Sequence, residues 1–253
     1  MCSTDFEEAN IMKREVFMNK NCFITGATGG IGRSIAMKMA ENKCNLFLTS
    51  TNNTKLKNLK EEIVSLYGKK IKIYYEHGDL NKIQDINKII TMAREKIHTV
   101  DILVNCAGLF VVKFLSDSNL DDFEKTFNLN IRAPFIFCKE FSEDMIKSGW
   151  GRIINIGSSS AYTGSKETSL YCASKHALLG FSRALHDELK KYNIRTYCVS
   201  PAGVKTEMGK LIKNQRFDTF IDPRELAEYI VFVSSFDDQM VSEEIRLNRM
   251  VIE

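Results

Sequence analysis

Nowhere does the chain string together the roughly 18 apolar residues that a membrane-spanning helix needs, so no membrane partner is expected. Proline is scarce, with three residues in 253, and no Gly/Ser/Pro-rich tract, internal repeat or low-complexity segment interrupts the pattern. A linker, and with it a second domain, is therefore not expected. The length suits one well-buried core, since single cores stop growing at roughly 250–300 residues. An excess of one charge is missing too. The 35 basic and 32 acidic residues leave +3, and the lysines are scattered, which excludes a nucleic-acid footprint and leaves small anionic ligands open. Cys2, Cys22, Cys44, Cys106, Cys138, Cys172 and Cys198 are odd in number and none stands in C-x-x-C spacing. With four dispersed histidines besides, no metal site is expected, and a reducing cytoplasm fits this cysteine usage. Residues 1–17 carry Asp5, Glu7 and Glu8 and no apolar run of signal-peptide length. They read as a loose N-terminal extension ahead of one domain over 18–253.

What is present is an alternation of short apolar runs with amphipathic stretches, the pattern of β-α-β units and a parallel sheet. Strands are expected at Asn21–Thr25, Asn45–Thr49, Ile71–Tyr75, Asp101–Asn105, Arg152–Ile156, Arg195–Ser200 and Glu244–Leu247. Helical spacing lies between them. Leu56, Leu59, Ile63 and Leu66 share one face, and Ile83, Ile86 and Ile90 mark the next helix. Near the end Asp222-Pro223-Arg224-Glu225 offers an N-cap acid, a proline at the first helical position and a capping-box glutamate, ahead of Leu226, Ile230 and Val233. The expected fold class is α/β, a single-domain, doubly wound parallel sheet of Rossmann type with helices on both faces.

The first strand runs directly into Thr25-Gly26-Ala27-Thr28-Gly29-Gly30-Ile31-Gly32, behind which a helix opens with Ile35, Met39 and Ala40 inward. Glycines belong where a chain turns tightly, lets its backbone approach a pyrophosphate, and packs helix against strand. The helix N-terminus then offers free N–H groups and partial positive charge to phosphates.

The spacing Gly26-x-x-x-Gly30-x-Gly32 resembles the cofactor loop of the short-chain dehydrogenase/reductase family, and further landmarks follow in order from about residue 20 to 235. Asp79-Leu80 resembles the pair that contacts adenine, and Asn105-Cys106-Ala107-Gly108 the element after the fourth strand. Pro201-Ala202-Gly203-Val204 with Thr206 resembles the stretch that contacts the nicotinamide carboxamide. The resemblance implies a nicotinamide cofactor held by Gly26, Thr28, Gly29, Gly30, Ile31 and Gly32 together with these later positions, and a small carbonyl or alcohol as substrate.

Carbonyl reduction needs a proton donor beside the hydride acceptor, and a tyrosine, with its reference pKa of ~10, serves best with a cation nearby. Tyr171 and Lys175, four apart, lie on one helical face, where the ammonium is expected to favour the phenolate. Ser158, thirteen residues earlier and just past an apolar strand, stands at the carboxyl end where doubly wound folds bind ligands; its hydroxyl would polarise the carbonyl. The resemblance adds that Lys175 also holds the nicotinamide ribose, and that Asn130 supports a water in the proton relay. A second Tyr-x-x-x-Lys pair, Tyr162 and Lys166, falls in a Ser/Thr/Gly loop and lacks the Ser158 spacing. The spacing of Tyr171 and Lys175 also speaks against the enoyl-reductase branch. An NAD-dependent alcohol dehydrogenase and a non-catalytic nucleotide sensor are the rival readings.

NAD-specific relatives place a carboxylate at the end of the second strand. Here the chain reads Thr49-Ser50-Thr51-Asn52-Asn53, with no acid before Glu61. Ser50 and Thr51, with Lys55 or Lys57, would accept a 2′-phosphate, so NADP(H) is the expected cofactor. The body is similar to 3-oxoacyl-thioester reductases, while the end, Val241 to Asn248, is more like NADP-dependent 3-hydroxy-acid dehydrogenases. Lys210, Lys213 and Arg216, where relatives carry a substrate lid, suggest an acidic substrate. Helices over Asp121–Ser148 and Tyr171–Lys191 carry Phe135, Phe137, Phe141, Leu178, Leu179 and Phe181, too many to face inward, and the expected assembly is a homotetramer or homodimer.

Overall fold

In the computed structural model, which describes residues 16–68 and 70–251, the strands are bound by alternation of their side chains between two cores. Cys22 and Ile24 point to one face and Phe23 to the other; Leu46 and Leu48 oppose Phe47 in the same way. Both faces are buried, as a parallel sheet requires. The strands are β1 (Asn21–Thr25), β2 (Asn45–Ser50), β3 (Ile73–His77), β4 (Ile102–Asn105), β5 (Gly151–Ile156), β6 (Ile194–Pro201) and β7 (Glu244–Leu247). They form one all-parallel sheet in the order β3-β2-β1-β4-β5-β6-β7. The order reverses between β1 and β4, which opens a crevice at their carboxyl ends.

Helices α1 (Gly30–Glu41), α2 (Asn53–Tyr67) and α7 (Pro223–Ser234) cover one face with Ile35, Met39, Leu56, Ile63, Leu226 and Ile230. Helices α3 (Ile83–Ile97), α4 (Leu120–Phe127), α5 (Ala133–Ser148) and α6 (Ser169–Leu189) belong to the other side of the fold. There Phe23, Phe47, Phe137 and Phe141 form an aromatic core, with the Phe23 and Phe47 rings stacked at 5.3 Å and Phe137 and Phe141 tilted against Phe23. Each such fully buried ring contributes about 1.5–3 kcal/mol of transfer free energy.

Several expectations are corrected. The third strand lies two residues later than its apolar run, because β2 pairs with it from Leu46↔Ile73 to Ser50↔His77 and leaves Ile71 as packing before the strand. Leu66 and Ile83 are exposed; α3 buries Ile86, Ile89, Ala93 and Ile97 instead. Asp222 caps α7 by accepting from the Arg224 N–H at 2.8 Å, one position short of the expected box with Glu225. A reciprocal box does stand at α4, between Asn119 and Asp122. The single helix expected over Asp121–Ser148 is interrupted by a π turn, Asn128–Arg132. Of the six apolar residues on α5 and α6, Phe137, Phe141, Leu178 and Leu179 are buried, while Phe135 is exposed and meets the half-buried Phe181 edge-on at 6.3 Å. The expected extension falls on residues 1–15, which lie outside the described residues, and on Val16 and Phe17. Phe17 is fully buried in the core, its carbonyl accepting from the Cys44 thiol.

Candidate active site

The glycine loop is shaped by contacts too close for any side chain. Gly26 has φ +64, and a Cβ there would stand 2.8 Å from the Ala107 backbone; a Cβ on Gly32 would stand 2.3 Å from the Gly26 carbonyl. Thr25, which the sequence offered only as the start of the motif, fastens this approach. Its Oγ1 accepts from the N–H groups of Cys106 and Ala107, both at 3.0 Å, and so binds the end of β1 to the end of β4. On the far side Gly30 lies against the Thr206 methyl, where a Cβ would come within 2.5 Å. The N-terminus of α1 thus faces a cradle of bare backbone, which suits a pyrophosphate.

From that cradle a cleft of about 530 Å³ runs along the carboxyl ends of the strands. Gly26, Thr28, Gly29, Gly30, Ile31 and Gly32 line its floor. Ser50, Thr51, Asp79 and Leu80 line one end, and Ala107, Gly108, Pro201, Gly203, Val204 and Thr206 the middle. Lys55 joins Ser50 and Thr51 at the wall, whereas Lys57 turns outward toward Glu61 at 3.9 Å. Asn52 caps α2 through the Lys55 N–H, which places that lysine. The donor set fits a dinucleotide with an added phosphate: bare backbone for the pyrophosphate, and two hydroxyls with a cation beyond it.

Ser158, Tyr171 and Lys175 come together at the other end of the same cleft. Ser158 leads β5 into a short turn, its Oγ accepting from Ser160 N–H at 3.1 Å. Tyr171 lies in the first turn of α6, against the Phe110 ring at 4.6 Å. Lys175 is one helical turn on, with Nζ 5.6 Å from the Tyr171 ring centre. The expectation that Lys175 pulls the tyrosine down is corrected. Burial pushes the Tyr171 phenol up to about 12, and the lowering influence comes from a hydrogen bond with the Ser158 hydroxyl. Lys175 instead donates to the Ile156 carbonyl at 2.8 Å, and burial brings it down to about 8.

Two expected site residues do not line the cleft. Asn130, in the π turn, is buried with its amide fully engaged: Oδ1 accepts from Leu109 N–H (2.8 Å), and Nδ2 donates to Leu109 O (3.0 Å) and Ser174 Oγ (2.9 Å). It joins the strand-four loop to the helix of Tyr171. Asn105 is a sheet strut, donating to Asn155 Oδ1 at 2.8 Å. The second Tyr-x-x-x-Lys does not pair: Tyr162 lies against Arg246 and Lys166 over the Phe114 ring.

Residues missed in the sequence include Phe110, Leu129, Met208 and Ile212, which give the substrate end an apolar wall, and Ser159, Ser160 and Glu207 beside them. They come from loops and from short 3-10 and π turns, where no periodicity announces them. The three bases where a lid was expected each stand beside a carboxylate. Lys210 pairs with Glu207 (2.6 Å), Arg216 with Asp218 (2.7 Å) and Lys213 with Glu167 (3.5 Å), so each base already has its carboxylate. Among the described residues no group of His, Cys, Asp or Glu could hold a metal ion, and no helix is long and apolar enough to cross a membrane.

Comparison with known proteins gives a consistent result. A family model described as short chain dehydrogenase matches residues 20–216. The chain is 31% identical over 225 residues to a 3-oxoacyl-[acyl-carrier-protein] reductase of Aquifex aeolicus, covering 85% of this chain and 90% of that one. It is 31% identical over 222 residues to the enzyme of the same name from Bos taurus, covering 85% and 91%. An alcohol dehydrogenase structure from Thermococcus sibiricus, complexed with 5-hydroxy-NADP, superposes with a TM-score of 0.83 at 24% identity over 92% of this chain and 97% of that one.

Proposed function

Because the chain belongs to the short chain dehydrogenase family, we propose that it is an NADP(H)-dependent reductase that turns a carbonyl into an alcohol with Tyr171 as the general acid. Oxidoreduction of a CH–OH/C=O pair is the activity of the family-level relatives. The carrying observation is that Ser158, Tyr171 and Lys175 line one cleft together with the glycine cradle and with Ser50 and Thr51. A bound nicotinamide would supply the hydride.

The chain's own groups do the rest. The Ser158 hydroxyl orients the carbonyl oxygen toward Tyr171. A phenol held up to about 12 by burial keeps its proton at neutral pH and releases it only to an oxygen that is becoming an alkoxide. Lys175, held one helical turn from Tyr171 by the Ile156 carbonyl, would hold the ribose. Asn130 keeps that helix in place through Leu109 and Ser174 rather than by touching the substrate.

Ser50, Thr51 and Lys55 support NADP(H) over NAD(H), as does the 5-hydroxy-NADP complex of the Thermococcus structure. The apolar wall and the two curated relatives favour a 3-oxoacyl thioester, or a small keto compound, over a free acid. The six cysteines among the described residues are all free, which supports a reducing cytoplasm. Exposed Phe135 beside Phe181 supports assembly as a homotetramer or homodimer, and a single monomeric mass by light scattering would end that part. The test of the activity is the loss of NADPH absorbance on a panel of 3-oxoacyl thioesters, diketones and 3-oxo acids. No turnover on any of them would leave a non-catalytic nucleotide binder.

A further inference from the structure

The rim of the cleft holds an arrangement that the proton chemistry does not use. After β6 the chain leaves the sheet and returns to itself. Lys205 N–H donates to Ile221 O, and Ile221 N–H to Gly203 O, each at 2.9 Å. Between these ties the residues 206–220 run out as a flap whose inner side gives the cleft Met208, Gly209 and Ile212. Two tethers hold the flap. Away from the cleft, Arg249 donates to Gln215 Oε1 at 2.7 Å and to Thr219 Oγ1 at 3.0 Å. Toward the opposite wall, Lys213 Nζ stands 3.5 Å from the Glu167 carboxylate.

Glu167 is a meeting point of three segments. It is a non-glycine residue at φ 65, a sparsely populated conformation that persists only where the surroundings hold it. Its carbonyl accepts from Lys113 N–H at 2.7 Å, in the loop that sets Phe110 against Tyr171. Two residues further on, α6 begins, with Tyr171 in its first turn. The flap reaches this same residue through Lys213. All three walls of the substrate end are therefore referred to Glu167.

We propose that Glu167 is a positioning residue that clasps the flap through Lys213 and so sets how closely Met208 and Ile212 close over the reacting carbonyl. The proposal rests on reading the cleft as the active site. The Lys213 side chain is 73% exposed and that of Glu167 21%, so the pair is one that opens and closes readily. An exposed ion pair shifts such an equilibrium by about 1.5- to 5-fold and is weakened by salt. That size suits a gate through which substrate and product must pass.

The test compares Glu167→Gln, Lys213→Gln and the exchange Glu167→Lys/Lys213→Glu in the full chain. Each single change should raise KM for the carbonyl substrate about threefold, leave KM for NADPH unchanged, and abolish the salt dependence of the former. The exchange should restore both. Chymotryptic cleavage at Phe217 gives a reading that needs no turnover: it should quicken about threefold in the single variants and slow again in the exchange. Equal cleavage and equal KM in the wild type and both singles, or an exchange no better than the singles, would overturn the clasp. Cleavage that changes as expected in a protein without turnover would uphold the clasp and overturn the active-site reading.

Discussion

The two ends of the cleft are built by different physics. At the cofactor end backbone lies against backbone: Gly26 against Ala107, Gly32 against Gly26, with the Thr25 hydroxyl as the fastening. At the substrate end side chains from different loops meet, joined by a solvent-accessible ion pair, Lys213–Glu167. Contacts of the first kind leave no room for an added methyl group, since packed interiors yield little. Contacts of the second kind are worth little singly and can be exchanged without unfolding anything. The cofactor end is thus constrained to one ligand class, while the substrate end is free to vary.

Tyr171 stands where the two ends meet, and its loss should break the comparison most completely. Tyr171→Phe removes the proton donor and nothing that grips a dinucleotide. Turnover should fall by roughly 10²–10⁴ while NADPH binding by calorimetry stays within about twofold. Tyr162→Phe, in the other Tyr-x-x-x-Lys, should turn over normally. The opposite pattern would place the chemistry elsewhere.

Next in size is a methyl group placed at each end. In Gly32→Ala the new Cβ meets the Gly26 carbonyl, so the loop must shift by the better part of an ångström. NADPH affinity should drop by more than about tenfold, a loss of over ~1.4 kcal/mol of binding. Met208→Ala removes bulk from the flap and should leave that affinity unchanged while altering substrate preference. Equal cofactor binding in both variants would show that the cradle does not hold the pyrophosphate.

A smaller effect sharpens the account of the cofactor end itself. Ser50→Asp sets a carboxylate where the extra phosphate is expected, beside Lys55. The ratio of kcat/KM for NADPH to that for NADH should fall about tenfold, or ~1.4 kcal/mol. Lys55→Ala should lower the NADPH value alone. A wild type that prefers NADH, or a ratio that does not move, would mean that this strand end does not read the 2′-phosphate.

What the sequence made legible follows the same division. The strands, the glycine loop and the Ser158, Tyr171, Lys175 set could be read because each depends on local spacing: alternation, a strand-to-helix turn, one helical turn. Ile83 and Leu66 misled because periodicity marks a face without its width. The π turn at Asn128–Arg132 was not legible, since its cause is tertiary, the Asn130 amide reaching Leu109 and Ser174. Nor was the neutralisation of Lys213, whereas Lys210 and Arg216 pair with Glu207 and Asp218 three and two residues away. Lys213's partner is 46 residues away along the chain, and no spacing rule joins residues 167 and 213.

The smallest effect concerns what Lys175 costs the fold. In the folded chain it titrates at about 8, below its ordinary 10.5, because burial penalises the ammonium. Between about pH 8 and 10.5 the unfolded chain therefore holds a proton that the folded chain has shed, and stability rises with pH through that window. Below pH 8 both states are protonated and the whole cost, up to about 3 kcal/mol, is present. Lys175→Met should remove that cost at pH 7 while leaving the Ile156 carbonyl without its donor, a loss of about 1–3 kcal/mol. The net gain is about 1 kcal/mol, a rise in Tm of about 2–4 °C in a protein that no longer turns over. The advantage should shrink as pH approaches 10, because the wild type then sheds the charge itself. Melting curves of both proteins at pH 7 and pH 10 decide the matter. If the two Tm values move in parallel, Lys175 is not a buried charge held against the preference of the fold.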